Sequence, residues 1–418
     1  MTPAQLDHTA AVLSDILAFK QPADSVLAAY FREHRKLGRQ DRHEIAETVF
    51  ATLRHYQKIQ TVMSKPRNKP RQAALAALIF GRGADAAFIQ SLAKPEEAES
   101  LKALFTGSKE HFTALHAAAE LPEWLVEIAQ KHYSEGDILQ FGRSVNRPAP
   151  LDIRVNTLKG KRDKVLAQLQ AEGFAAEATP FSPWGIRFQD KPSLNRHPLF
   201  LDGTLEIQDE GSQLLALLLG AKRGEIVADF CAGAGGKTLA IAAMMANQGR
   251  IYAFDIAEKR LANLKPRSTR AGVANIHAER ISSEADTRIA RLYGKADRVL
   301  VDAPCSGLGT LRRNPDLKYR QSPETLASLQ TQQATILAEA AKLVSAKGRL
   351  VYATCSILPE ENEMQVRHFL DNHPGWHTVD CAGLLSNYKI PLDTGVYLRL
   401  NTEQHQTDGF FAAVLERN

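Results

Sequence analysis

Two apolar, strand-like runs of this chain end in the same dipeptide. One reads Arg298-Val299-Leu300-Val301-Asp302-Ala303-Pro304-Cys305-Ser306-Gly307, the other Leu350-Val351-Tyr352-Ala353-Thr354-Cys355-Ser356. A single buried cysteine is commonly a small core filler. Two of them, each just past a strand end and each followed by serine, point instead to chemistry, because ligands of open α/β sheets bind outside the carboxyl ends of the strands. Asp302 is placed with them. No C-x-x-C pair and no histidine at ligand spacing accompanies these thiols, so no metal is expected. Cys231 and Cys381 read as structural, Cys231 lining a loop through its backbone.

That loop follows a third apolar run, Ile226-Val227-Ala228-Asp229, and reads Phe230-Cys231-Ala232-Gly233-Ala234-Gly235-Gly236-Lys237-Thr238 before an apolar helical pattern. Strand, glycine loop and helix together present backbone amides to a ligand. A Walker loop needs glycine where Cys231 stands, and a dinucleotide fingerprint needs glycine where Thr238 stands. What remains is an acid before the loop and a second acid, Asp255, ending the next run, Ile251 to Asp255. A carboxylate there is placed to bind the two hydroxyls of a ribose. Strand, loop, helix, strand and acid without the third glycine is how S-adenosylmethionine is usually held.

A thiolate beside a methyl sulfonium is not needed to methylate an amine or hydroxyl. Carbon 5 of a pyrimidine needs one, because it is a poor nucleophile until a thiolate adds to carbon 6. The adduct must then lose the carbon 5 proton and expel the sulfur, which a second thiol assists. A carboxylate such as Asp302 hydrogen-bonds the polar edge of the ring. The nucleophilic thiol needs activation from its ordinary pKa of about 8.5, and the base must be single-stranded or flipped out. Spacing alone does not choose between Cys305 and Cys355 as nucleophile.

These residues need a scaffold that brings strand ends together. From Gly211 onward strands and helices alternate. Ile251–Asp255 leads to a helix from Glu258 to Ala271, then to Ile276–Ile281 and Asp297–Asp302. A helix from Pro323 to Leu343, the strand Arg349–Thr354 and an antiparallel pair near 395–400 and 410–415 close the chain. This is an α/β, Rossmann-like sheet with an antiparallel end. Before it, residues 148–210 read as a small α+β module, opened by Arg147-Pro148-Ala149-Pro150. Such modules often present a sheet face to RNA, although no clear pair of stacking aromatics is visible. Residues 1–140 read as helical, with Ile45, Val49, Leu53, Tyr56 and Ile59 on one stripe. Histidines 8, 34, 43, 55, 111, 116 and 132 show no metal-ligand spacing. The catalytic domain is expected to span 211–418.

At 418 residues with formal net charge +5, the chain is long enough for several domains and mildly basic. Basic clusters at Arg32, Arg35, Lys36, Arg39 and Arg42, at Lys65, Arg67, Lys69 and Arg71, and at Lys159, Lys161 and Arg162 favour a phosphate backbone as partner. No apolar run is long enough to suggest a membrane span, no secretory signal is visible, and the cysteines do not form a disulfide framework. A monomeric cytoplasmic protein is expected.

The motifs resemble those of the Sun/Fmu-type RNA (cytosine-5) methyltransferases, most closely the bacterial 16S ribosomal RNA methyltransferase B group. Arg154-Val155-Asn156-Thr157-Leu158 and Ile207-Gln208-Asp209-Glu210-Gly211-Ser212-Gln213 are similar to the segments that precede the cofactor loop. The Asp302 to Gly307 run followed by Arg312-Arg313-Asn314-Pro315-Asp316, Thr354-Cys355-Ser356 with Pro359-Glu360-Glu361-Asn362, and Asp408-Gly409-Phe410-Phe411 complete the match. The helical segment looks more weakly like a NusB-like RNA-binding domain. The resemblance implies that Cys355 is the nucleophile and Cys305 assists release. It implies that Cys231, Ala232, Gly233, Ala234, Gly235, Gly236, Lys237, Asp255 and Asp302 bind S-adenosylmethionine, and that the partner is RNA, ribosomal RNA first. Two positions depart from the pattern: Ala234 stands where the family usually has proline, and Ile281-Ser282-Ser283, with Glu284 beyond, stands where it usually has an acid near the adenine. A tRNA substrate, a ribosome-assembly factor without turnover and a small-molecule methyltransferase are the competing readings.

Overall fold

The structure is a computed structural model describing residues 1–95, 97 and 112–418; His111 lies outside them. The chain divides into two units. One comprises Met1–Pro148 with Thr310–Pro323, the other Ala149–Gly309 with Glu324–Asn418.

Every regular element described in the first unit is helical. Thr2 and Gln5 form a capping box that starts the helix Pro3–Ile16. Leu6, Leu13, Val49, Leu53, Leu75 and Leu78 from three helices pack into one fully buried cluster. The stripe expected over Ile45–Ile59 is divided between the helices Arg39–Arg54 and Tyr56–Val62. The break falls at His55, which leaves helical geometry and bonds the Glu120 carboxylate at 2.8 Å. The segment Thr310–Pro323, far away in sequence, contributes to this unit. Tyr319 sits between Phe19 and Tyr56, at 5.0 and 5.2 Å between ring centroids. Lys318 is fully buried, and its ammonium donates to the carbonyls of Arg54 and Glu120, both at 3.0 Å, and to Asn146 Oδ1 at 3.3 Å. Burial, partly opposed by the Glu120 charge, lowers its pKa to about 8.

The second unit holds two sheets. The smaller one is antiparallel and is built from β1 (Leu151–Val155), β2 (Ala176–Ala178), β3 (Gly185–Phe188) and β4 (Leu205–Ile207), in the order β2-β3-β1-β4. Ile153, Ile186 and Leu205 pack with Val165 and Leu169 of the helix Arg162–Ala171. The larger sheet runs β10-β12-β9-β8-β5-β6-β7, with β11 paired to β12. Its strands are β5 (Ile226–Asp229), β6 (Arg250–Asp255), β7 (Ile276–Arg280), β8 (Ala296–Asp302), β9 (Val344–Thr354), β10 (Trp376–Val379), β11 (Leu398–Leu400) and β12 (Phe410–Arg417). From β9 through β7 neighbours run parallel, and β12 pairs antiparallel with β9, β10 and β11. Val227, Leu300 and Val351 are fully buried, as central strands covered on both faces require.

Two details depart from the expected elements. The helix anticipated over Glu258–Ala271 is broken into Glu258–Leu261 and Leu264–Ala271. Pro266 has no amide to give to Ala262, so the ladder stops and restarts with proline in the first turn. Strand β10 was not anticipated, and it pairs with the outer part of β12.

Past β8 and β9 the chain crosses itself closely. Gly309 donates to the Cys355 carbonyl at 2.8 Å, and its own carbonyl accepts the Gly409 amide at 2.8 Å. A Cβ on Gly309 would overlap the carbonyl of Gly409 and lie 2.8 Å from that of Cys355. Gly309→Ala is therefore expected to cost about 3 kcal/mol of overpacking, read as a lowered urea midpoint, whereas Gly375→Ala, with open space around its Cβ, should be near neutral.

Candidate active site

The sheet order makes a topological switch at β5. From β5 the chain proceeds outward through β6 and β7, then returns to β8 on the other side. The crevice at such a switch is where doubly wound sheets take their ligands. Asp229 ends β5, Asp255 ends β6 and Asp302 ends β8, so three carboxylates line one edge.

The loop Cys231–Gly235 leads from β5 into the helix Gly236–Met244. Gly233 and Gly235 have φ of 56° and 82°. A side chain at Gly233 would lie 2.5 Å from the Arg260 guanidinium, and one at Gly235 would overlap Leu264. Two arginines hold the loop from outside. Arg267 donates to the Ala234 carbonyl at 2.6 Å and to Glu206 at 2.7 Å. Arg154, buried on β1, donates to the Gly236 carbonyl at 2.8 Å. The carbonyls are thus tied down, while the first amides of the helix have no partner within their own helix. Ala234 lacks the rigidity of the proline usual there, and the Arg267 bond restrains the same peptide.

The Asp255 carboxylate accepts the amides of Gly233 and Ala257, both at 2.7 Å. Lys237 pairs with Asp302 at 2.6 Å and lies 5.8 Å from the Phe410 ring centroid. Burial pulls the Lys237 ammonium down, but the charges of Asp302, Cys355 and Asp229 outweigh it and the net shift is upward. Asp229 is buried, with one oxygen accepting from Thr238 at 2.7 Å and the other without a partner among the described residues. Burial raises its pKa to about 7.

At the ends of β8 and β9 the sulfurs of Cys305 and Cys355 lie 3.3 Å apart. The hydrogen bond to Cys355 is the largest influence on the Cys305 thiol. Burial and the charges of Cys355 and Glu361 add to it, and together they hold Cys305 well above the ordinary thiol range. Cys381 is buried in the core against the Ala412 carbonyl, and the Cys231 thiol is pushed up by burial. Beyond β7, at the Ile281-Ser282-Ser283 departure, Ser282 donates its amide and hydroxyl to Asp286, at 2.8 and 2.9 Å. Arg288 holds the same carboxylate. Glu284 instead accepts from Gln332 at 3.3 Å.

The structure therefore brings Cys305, Cys355, Asp302 and Lys237 to neighbouring strand ends, with the loop 231–237 and Asp255 beside them. Arg154, Arg267, Gln333 and Glu361 complete the surroundings. Sequence reasoning missed their roles, since each depends on which distant loop the side chain reaches. The cradle fits S-adenosylmethionine: two glycines that side chains would fill, a row of helix amides, and a carboxylate at the β6 end. No cluster of metal-ligating side chains occurs among the described residues, and no described helix is long and apolar enough to cross a membrane.

Comparison with known proteins gives a consistent result. The sequence model for 16S rRNA methyltransferase RsmB/F matches residues 216–416, and that for the ferredoxin-like domain of RsmF/B-like methyltransferases matches 121–195. A probable ribosomal RNA small subunit methyltransferase B of Bacillus subtilis is 31% identical over 83% of this chain and 77% of its own length. The protein of the same description from Synechocystis is 34% identical over 71% of this chain, which covers 66% of that relative, just under two thirds. The crystal structure of PH0851 superposes with a TM-score of 0.79 at 26% identity, covering 100% of this chain and 99% of that one.

The buried Asp229 makes stability depend on pH in a defined direction. Its native pKa of about 7 exceeds the ordinary carboxylate value of 3.8, so between these values the native state holds a proton that the unfolded chain has lost. The associated stability is present below about pH 4 and is lost as pH rises to about 7. Asp229→Asn lacks this titration. Its stability relative to the wild type should improve by roughly 4 kcal/mol at most between pH 4 and pH 8, and urea unfolding at the two pH values measures the difference.

Proposed function

The chain belongs to the RsmB/F family of 16S rRNA methyltransferases, and we propose that it uses S-adenosylmethionine to methylate carbon 5 of a cytosine in RNA, with small-subunit ribosomal RNA as the substrate. The observation that carries this reading is the 3.3 Å pair of thiols beside the glycine loop. Methyl transfer to oxygen or nitrogen has no use for two cysteines, whereas carbon 5 has a use for both.

When bound, S-adenosylmethionine supplies an electrophilic methyl carbon. The protein's part is to make carbon 5 reactive. In this proposal the Cys355 sulfur adds to carbon 6 of the ring, and the displaced electron pair makes carbon 5 the nucleophile. Transfer of the carbon 5 proton to a solvent base then reforms the double bond and expels the Cys355 thiolate. Cys305, held as a thiol, donates a hydrogen bond to that departing sulfur. Asp302, oriented by Lys237, bonds the polar edge of the ring and the cofactor side of the site. Asp255 takes the ribose. The basic helical segment is proposed to bind the RNA backbone, and the protein to act as a cytoplasmic monomer. Domain limits of 1–140, 148–210 and 211–418 go with this assignment of roles.

Cys355→Ala is expected to reduce methylation to background, and methyl transfer at the wild-type rate would refute the nucleophile assignment. Cys305→Ala, incubated with S-adenosylmethionine and 16S rRNA, should accumulate a protein–RNA adduct on a denaturing gel, lost when Cys355→Ala is added. An adduct with tRNA alone would move the substrate while keeping the chemistry. Asp255→Ala should weaken S-adenosylmethionine binding by roughly 10- to 100-fold, the size of hydrogen bonds to a charged group, as read by calorimetric titration.

A further inference from the structure

Behind the two cysteines lies a buried carboxylate that the reaction scheme leaves unused. Glu361 follows β9 in the sequence and is fully buried. Its Oε1 accepts the Ser306 amide at 2.8 Å and the Gln333 side-chain amide at 3.0 Å. Its Oε2 accepts the Ser306 hydroxyl at 2.5 Å and also the Ser356 hydroxyl. Ser306 and Ser356 are the residues that directly follow Cys305 and Cys355, and their hydroxyl oxygens lie 3.2 Å apart. One carboxylate thus bonds both thiol-bearing turns at the same position in each.

The backbone of Glu361 and the residues around it are fixed as well. Tyr352 on β9 donates to the Glu361 carbonyl at 2.7 Å. Gln333, on the helix Pro323–Leu343, also donates to the Pro304 carbonyl at 2.9 Å, just ahead of Cys305. Asn362 donates to the Ser356 carbonyl at 3.1 Å and accepts from Thr354, just ahead of Cys355. Glu361 and its neighbours therefore hold the residues on either side of each cysteine. A buried carboxylate with several donors is a stiff joint, because leaving any donor unpaired costs the desolvation of that group.

We propose that Glu361 is a positioning residue that sets the separation and aim of the Cys305 and Cys355 sulfurs by clamping the serines that follow them; this rests on the reading of both cysteines as reacting groups. The sulfurs move with their turns, and a turn released from the clamp lets the pair drift. A misplacement of about 1 Å at a reacting group costs on the order of 100-fold in rate. Among the described residues no hydrogen bond joins the cofactor loop to Glu361, so the clamp is expected to leave cofactor affinity unchanged.

Thiol closure reads the separation without reference to RNA. Diamide takes up two hydrogens and converts the two thiols into one disulfide, at a rate that follows their encounter. In the 418-residue chain Glu361→Met removes every acceptor at similar volume, whereas Glu361→Gln keeps the length and can pair with both turns once the serine hydroxyls rotate. Closure of Cys305 with Cys355, followed by peptide mapping, should slow at least tenfold in Glu361→Met and stay within threefold of wild type in Glu361→Gln. With RNA, kcat should fall at least tenfold in Glu361→Met while KM for S-adenosylmethionine stays within threefold. If Glu361→Met does not fold, Ser306→Ala/Ser356→Ala takes its place with the same expected slowing. Closure at the wild-type rate in the acceptor-free variant, equal slowing in Glu361→Gln, or an unchanged kcat would each overturn the proposal. If the wild-type protein methylates no RNA, the functional reading fails, and the closure rates still decide whether Glu361 sets the thiol pair.

Discussion

The pairing of β8 with β9 is the constraint on which the site depends. The strands are parallel hydrogen-bonded neighbours, with Asp302 opposite Ala353. Both chains therefore leave the sheet at nearly the same level, and the first residues beyond them face each other. A parallel ladder has a single register that keeps both faces apolar, and a slip would turn Leu350 and Val351 over. The 3.3 Å between sulfurs is thus inherited from backbone pairing and then refined by side chains. Strand β12 locks the other side of β9 through six paired positions from Glu416 to Phe411, so β9 has no freedom to move independently.

Charge burial does for the cofactor loop what the ladder does for the thiols. Arg154 and Arg267 reach it from the small antiparallel sheet and from the helix Leu264–Ala271, and each binds a loop carbonyl. Glu206 on β4 holds both Arg267 and Arg270. Arg154 is fully desolvated, and its pKa falls to about 10 because of burial. One nitrogen, Nη1, donates to both Gln208 and the Gly236 carbonyl, whereas the buried Nε has no hydrogen-bond partner among the described residues. The small sheet is therefore also a brace for the loop.

The legible parts of the molecule were those whose signal is local. Continuous apolar runs announced β5, β8 and β9, and residue type announced the cysteines and the acids at their ends. Strand β10 carried no such signal, since Trp376, Thr378 and Val379 are only half-buried at the sheet edge. The break near Pro266 could be anticipated from proline's missing donor but was lost in an otherwise helical pattern. Glu361 lay in a quoted motif, yet nothing in Pro359-Glu360-Glu361-Asn362 says which glutamate turns inward or that Ser306, distant in sequence, would be its donor. Nothing in the residues around Lys318 marks it as buried among carbonyls from distant parts of the chain. Side-chain convergence over long sequence separations is decided by packing, and no periodicity records it.

The segment Thr310–Pro323 gives this topology a consequence for biosynthesis. The helices before Pro148 are made ahead of the two sheets, yet Lys318 is buried in their unit and Tyr319 packs between Phe19 and Tyr56. During translation, the pocket between Phe19 and Tyr56 and the carbonyls of Arg54 and Glu120 stay open until the chain has been extended well past β8. The unit that begins first is therefore completed late, by a piece borrowed from between the two cysteines. For the nascent protein this is a delay imposed by threading order, during which apolar surface of the helical unit stays uncovered.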